Sequence, residues 1–160
     1  EIHERLVGSE MCIETGDDPP ISAIRWVSEL IELAGGQDCF PELALEALGK
    51  NRIIADSHQI VQRNPDIIIG SWCGKKFRPE TLITRPGWDQ INAVRTGQVF
   101  EIKSPDILQP GPAALTDGLA QLHQIVVRWA GLPEIDPELI PELIPETIPE
   151  TISNLIELIR

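Results

Sequence analysis

Ile67-Ile68-Ile69, closed by Gly70, is an unbroken β-branched run, and it limits the fold more than any other stretch of the chain. A strand with one wet face alternates apolar and polar residues, whereas a strand covered on both faces does not. The run therefore calls for a sheet with helices packed on either side. Such helices are legible in the flanking sequence. Ile24, Val27, Leu30, Ile31 and Ala34 recur at helical spacing, as do Leu115, Leu119, Leu122, Val126 and Trp129. Strands separated by helices imply βαβ units, right-handed crossovers and a parallel sheet.

The remaining punctuation fills in that outline. Met11-Cys12-Ile13 reads as a short strand, closed by Gly16-Asp17-Asp18-Pro19-Pro20. A helix is expected from Ile21 to Ala34, stopped by Gly35-Gly36. A short helix from Glu42 to Leu48 and an extended Ile53-Ile54 follow. Asp56 or Ser57 then caps a helix that ends before Asn64-Pro65. Short helices are expected at Pro79–Thr84 and Trp88–Val94, and a strand at Val99–Ile102. Residues 104–111 read as a stiff, proline-bounded loop. Pro112 opens the last helix of the body and Gly131 closes it.

Composition removes several classes of function. The 160 residues suffice for one domain with a real core. The net charge of −12 is split evenly between the body and the segment from Pro133 to Arg160. With no run of Lys or Arg to neutralise phosphates, neither nucleic acid nor an anionic membrane surface is an expected partner. No stretch is apolar enough to span a membrane, and no signal peptide is legible at Glu1-Ile2-His3-Glu4-Arg5. Cys12, Cys39 and Cys73 form no CxxC pair, and His3, His58 and His123 are scattered. Neither a disulfide framework nor a protein-held metal is expected.

In parallel sheets the ligand-facing loops leave the C-terminal ends of the strands. Here those loops are 14–20, 70–78 and 103–111. Asp17 and Asp18, with Lys103, suit a phosphoryl-transfer receiver, but that chemistry also needs an aspartate at the end of the middle strand. Ser71-Trp72 stands there, and Asp66 lies at the opposite end. A turn or helix cap is the alternative for the acidic pair. Two readings of Trp72 stay open: an indole stacking on a flat ligand, or one tucked under its own loop. Cys73 has no adjoining general base and reads as a small passive residue. Lys75, Lys76 and Arg78 are either solvated charge or an attraction for an anionic ligand. The rigid 104–112 loop, holding Asp106, Leu108 and Gln109, is either a ligand contact or a plain connector. No Gly-rich phosphate loop, HExxH or GxSxG is present, so no enzyme activity is expected.

Several of these stretches together resemble the class III substrate-binding proteins of ABC importers, in their C-terminal lobe. They are Asp17-Asp18-Pro19-Pro20-Ile21-Ser22, Trp26–Ile31 with Ala34-Gly35-Gly36, Arg63–Gly70, Arg85-Pro86-Gly87-Trp88, and Ser104-Pro105-Asp106 leading to Gly111-Pro112. Residues 72–76 and 104–112 point within that class to the corrinoid binders. The resemblance implies a single Rossmann-like α/β lobe, a short, mainly parallel sheet flanked by helices, over residues 10–132. Residues 1–9 then read as the remnant of the interlobe helix, with the N-terminal lobe absent. It further implies an extracytoplasmic protein presenting cobalamin, or another metal chelate, to an ABC permease, with no intrinsic cofactor. Asp17, Asp18, Trp72, Cys73, Lys75, Phe77, Asp106, Leu108 and Gln109 would line the cleft. Iron–siderophore or haem binding is the nearest alternative. A structural or interaction protein that associates through its uncovered cleft face and tail is the other. Family members often carry a glutamate near Leu108 that docks on permease arginines; this chain has only Asp106 there.

Residues 133–160 have no place in that pattern. Proline recurs at 133, 137, 141, 145 and 149, which deletes amide donors and forbids a regular helix through the repeat. An extended arm is expected, with a short amphipathic helix at Ser153–Arg160. If Leu139, Ile140, Leu143 and Ile144 dock on an apolar surface, truncation after Leu132 lowers the melting temperature or changes the mass in light scattering. A silent truncation means that they do not dock.

Overall fold

The computed structural model describes residues 19–72 and 76–132. Met11–Ile13, Asp17, Asp18, Cys73, Lys75 and the 133–160 repeat lie outside the described residues. Within them run helix α1 (Arg25–Leu33), α2 (Pro41–Ala44), α3 (His58–Arg63), strand β1 (Ile68–Gly70), α4 (Pro79–Ile83), α5 (Asn92–Arg95), strand β2 (Val99–Glu101), α6 (Ser104–Ile107) and α7 (Leu119–Trp129). β1 and β2 pair in parallel, with Ile68 opposite Val99, Ile69 opposite Phe100 and Gly70 opposite Glu101. A parallel neighbour requires a crossover, and α4 and α5 supply it. The expected α/β lobe is the one observed.

The isoleucine run divides the core in two. Ile67 and Ile69 pack with Val27, Leu30 and Ile31 of α1 and Leu122 of α7. Ile68 points the other way, into a cluster with Phe40, Ile60, Leu82 and Trp88. Period-two alternation sends successive side chains to opposite faces, and both faces here are apolar. Trp72 continues the Ile68 side and Ser71 is fully enclosed.

Local chemistry sets the element ends. The Asp56 carboxylate accepts the His58 amide at 2.9 Å and starts α3, as the capping pattern requires. Asn64 stops that helix in the left-handed region at φ 51°, a conformation that asparagine tolerates. Its side chain then accepts the Asn92 amide at 2.8 Å, while the Asn92 side-chain amide donates to Asp66 at 2.8 Å. Asp66 thus pins the start of α5 to the N-terminal end of β1. Arg63 donates to the Cys39 carbonyl, pairs with Glu42 and lies 4.1 Å from the centroid of the Phe40 ring.

Several boundaries differ from the sequence expectation, among them the expected Trp88–Val94 helix, which is a 3-10 turn at Trp88–Gln90 followed by α5. The first helix begins at Arg25 because the residues before it are extended: the Ile54 amide donates to Pro20 at 2.8 Å and the Ser22 amide to Arg52 at 3.0 Å. The expected Glu42–Leu48 helix is only α2, followed by a 3-10 turn at Gly49–Asn51. The expected stiff loop begins with α6, since Pro105 in the first turn has its φ already set for a helix and its missing amide is not needed there. The final helix opens with a π turn at Ala114–Gly118. The extra residue rotates Leu115 outward, to 45% exposure, and puts Ala114 in the core instead.

Two buried groups generate predictions. Asp38 is 2% exposed, and its carboxylate accepts the Phe40 amide at 2.9 Å. Burial raises its pKa above the ordinary aspartate value, with Glu42 and Glu32 adding to the rise. Ser28 and the Phe40 amide oppose it. A carboxyl whose folded pKa exceeds its unfolded one favours folding on the acid side, and that contribution is lost as pH rises through the folded value. Asp38→Asn keeps the acceptor for Phe40 without the buried charge. It is expected to melt above the parent at pH 7, with the gap closing toward about pH 4, where the unfolded carboxyl titrates. An equal gap at both pH values contradicts the assignment.

Trp72 is 5% exposed and meets Phe77 edge to face, with centroids 5.4 Å apart. Phe77 lies so close over Gly70 that a Cβ there would stand 2.0 Å from the ring. Trp72→Ala is expected to cost about 3–5 kcal/mol of stability by opening a cavity, read from urea unfolding. Gly70→Ala is expected to destabilise as well, by displacing Phe77. A Trp72→Ala protein of parental stability contradicts the core role.

Candidate functional site

Because β1 and β2 are parallel, their C-terminal ends share one edge of the lobe. Segment 71–78 leaves β1 there, and Ile102 and Lys103 lead from β2 into α6. The first turn of α1 comes to the same edge. The Trp26 indole N–H donates to the Ile107 carbonyl at 3.3 Å, tying α1 to α6. Trp26 was not among the expected site residues. Its place in an amphipathic helix gives no sign of a bond to a residue 81 positions along the chain.

The expected site residues divide at this edge. Asp106 is half-buried and accepts the Gln121 side-chain amide at 3.2 Å; that amide also donates to the Asp117 carbonyl at 3.1 Å. Leu108 is half-buried and packs against the first core cluster, while Gln109 is exposed. Gly118 allows this approach of α6 to the start of α7, because a Cβ there would lie 2.4 Å from the Asp106 carbonyl oxygen. Asp106, Leu108 and Gln109 are therefore brought to the strand-end edge by α6 and its following turn.

Trp72 and Phe77 differ from the expectation of an open aromatic surface. Both rings are buried, at 5% and 4% exposure, against each other and the second core cluster. The tucked alternative is the one observed. Gly70 explains it, since its missing side chain leaves room for Phe77 to fold back over the strand and cover the indole. Two polar atoms are enclosed in the process: the Trp72 indole nitrogen and the Ser71 hydroxyl have no hydrogen-bond partner among the described residues.

The charges at the edge point outward. Lys76, Arg78 and Lys103 are exposed, the first two on the loop after β1 and the third directly after β2. Asp66 stands at the opposite end of β1, bonded to Asn92. The receiver chemistry thus lacks its acceptor carboxylate at Ser71. No group of three or more His, Cys, Asp or Glu suited to a metal ion occurs among the described residues. No helix among them is long and apolar enough to cross a membrane.

Comparison with known proteins places this arrangement. Residues 18–105 match the family described as "Periplasmic binding protein". No curated protein sequence matches the chain. Among solved structures, a possible iron-binding (periplasmic solute-binding) protein from Staphylococcus epidermidis is similar at 22% identity and a TM-score of 0.59, over 74% of this chain and 45% of its own. An ABC-type Fe3+-hydroxamate transport system protein from Saccharomonospora viridis is similar at 16% identity and a TM-score of 0.55, over 78% and 43%. A periplasmic heme-binding protein from Roseiflexus is similar at 17% identity and a TM-score of 0.54, over 78% and 51%. The chain spans about half the length of these structures. The family match covers more than half of the chain, runs through α1 and both strands and reaches the edge where they end, and so the chain belongs to the periplasmic binding protein family.

Proposed function

We propose that this lobe forms one wall of a ligand cleft that captures a metal chelate outside the cytoplasm and presents it to an ABC permease, with no covalent chemistry of its own. The observation that carries the reading is the strand-end edge. In a periplasmic-binding-protein lobe, the segments after β1 and β2 meet there with α6 and the first turn of α1. Asp106, Leu108 and Gln109 supply polar and apolar contacts from α6 and its turn. Asp17, Asp18, Cys73 and Lys75 complete the wall in this reading.

Within the class, an anionic iron chelate or haem is the better supported ligand. Lys76 and Arg78 on the segment after β1 and Lys103 after β2 are exposed, in a chain whose net charge is −12. In this reading these cations attract carboxylate- or hydroxamate-bearing chelates and speed their encounter. The names of the similar structures, iron-binding, Fe3+-hydroxamate and heme-binding, agree with it. Cobalamin is the second reading. It rests on the resemblance of residues 72–76 and 104–112 to corrinoid binders, while the burial of Trp72 and Phe77 withdraws the aromatic face that a corrin ring would meet.

A visible-absorbance titration with haem, a ferric hydroxamate and cobalamin separates these readings. The expected result is a saturable spectral change with haem or the ferric chelate. The charge-reversed Lys76→Glu/Arg78→Glu variant is expected to weaken it about tenfold, or ~1.4 kcal/mol. Raised salt is expected to weaken binding in the parent. Saturation by cobalamin alone transfers the function to the corrinoid reading; silence with all three ligands overturns the proposal.

A further inference from the structure

Among the described residues, the outer edge of β2 has no partner strand. The Ile68 amide donates to Gln98 at 2.9 Å and the Ile102 amide to Gly70 at 3.1 Å, while Phe100 stands opposite Ile69. In a parallel ladder with this register, the backbone groups of Gln98, Phe100 and Ile102 face β1. The N–H and C=O groups of Val99 and Glu101 therefore face away from it. No strand covers them among the described residues, and neither amide has a backbone partner there.

Beside this edge is an open hollow of 210 Å³, bounded by Phe100 and Glu101 on the strand and by Gln121, Gln124, Ile125 and Arg128 on α7. Natural edge strands are usually blunted by lysine, proline or a bulge. Val99 and Phe100 are half-buried, and Glu101 carries the only charge on the strand.

We propose that two copies of this chain pair through these edges, antiparallel and two-fold about Phe100. That register makes Val99 and Glu101 of the second copy a hydrogen-bonded pair, and does so twice by symmetry. All four outward groups of each strand are then satisfied. Phe100 faces Phe100 of the second copy in the close, non-hydrogen-bonded position, where aromatic cross-strand pairs contribute most. Glu101 faces valine rather than another carboxylate, so the one charged residue of the strand meets no like charge. The edge is self-complementary, which an isologous interface requires.

The chain's own residues 133–160 fit the edge less well. Their prolines at every fourth position remove ladder donors, and their acids would lie along Glu101. With strands of three residues, the shared surface is smaller than the roughly 1,200–2,000 Å² of a stable complex. Pairing is therefore weak, and because each copy carries −12, it strengthens with salt.

Sedimentation velocity of the full chain across a concentration series, with amide exchange on the same samples, tests this. The expected result is a mass rising toward the dimer, more so at high salt, with Val99 and Glu101 amides gaining protection in step. Glu101→Pro removes only an outward donor and leaves the β1 ladder intact. It is expected to weaken association at least tenfold while circular dichroism stays unchanged. Should that variant fail to fold, Val99→Lys and the exchange data on the parent decide. A monomer at every concentration, a dimer indifferent to both substitutions, or concentration-independent protection of the two amides overturns the proposal. The last of these means that the chain covers its own edge.

Discussion

The rest of the lobe depends on the parallel pairing of β1 with β2 under a strand buried on both faces. Ile67 and Ile69 hold α1 and α7 on one side, and Ile68 and Trp72 hold the helices of the crossover on the other. One wrong register step would exchange the two faces. The small differences between the faces, Phe40 and Trp88 on one and α1 with α7 on the other, are what fix the step. Because the pairing is parallel, both strands end at the same edge, and that alone brings segments more than twenty residues apart into one surface. The site is a consequence of the sheet rather than a feature added to it.

How much of this was legible follows from which signals are local. The isoleucine run, the helix start at Asp56-Ser57, the Asn64-Pro65 stop and the glycine after Trp129 each act within a turn of their own residues and were legible, although the choice between Asp56 and Ser57 as the capping side chain was not. The π turn at Ala114–Gly118 was not, because the 3.6-residue period that places Leu115 in the core assumes an unbroken α-helix. The α6 turn was hidden by prolines that read as loop markers, although Pro105 stands where a helix begins.

The candidate residues were legible as places in the fold but not as environments. Asp106, Leu108 and Gln109 follow from strand order, and they lie at the strand-end edge. The burial of Trp72 was left open by the sequence, because its cover is Phe77 lying over Gly70, a contact across a loop with no periodicity to announce it. The tie between Trp26 and Ile107 escapes for the same reason. The exposed basic residues carry the opposite lesson: Lys76 and Arg78 are far from Lys103 in the chain, and the parallel pairing sends both of their segments to the same edge.

The central claim is that a metal chelate is held at the strand-end edge. Amide exchange with and without a saturating ferric hydroxamate or haem measures it most directly. The account predicts protection concentrated in residues 71–78 and 102–109 and in the first turn of α1, with the opposite edge around Asp66 and Asn92 unchanged. Protection at that opposite edge, or none anywhere under saturating ligand, would contradict it.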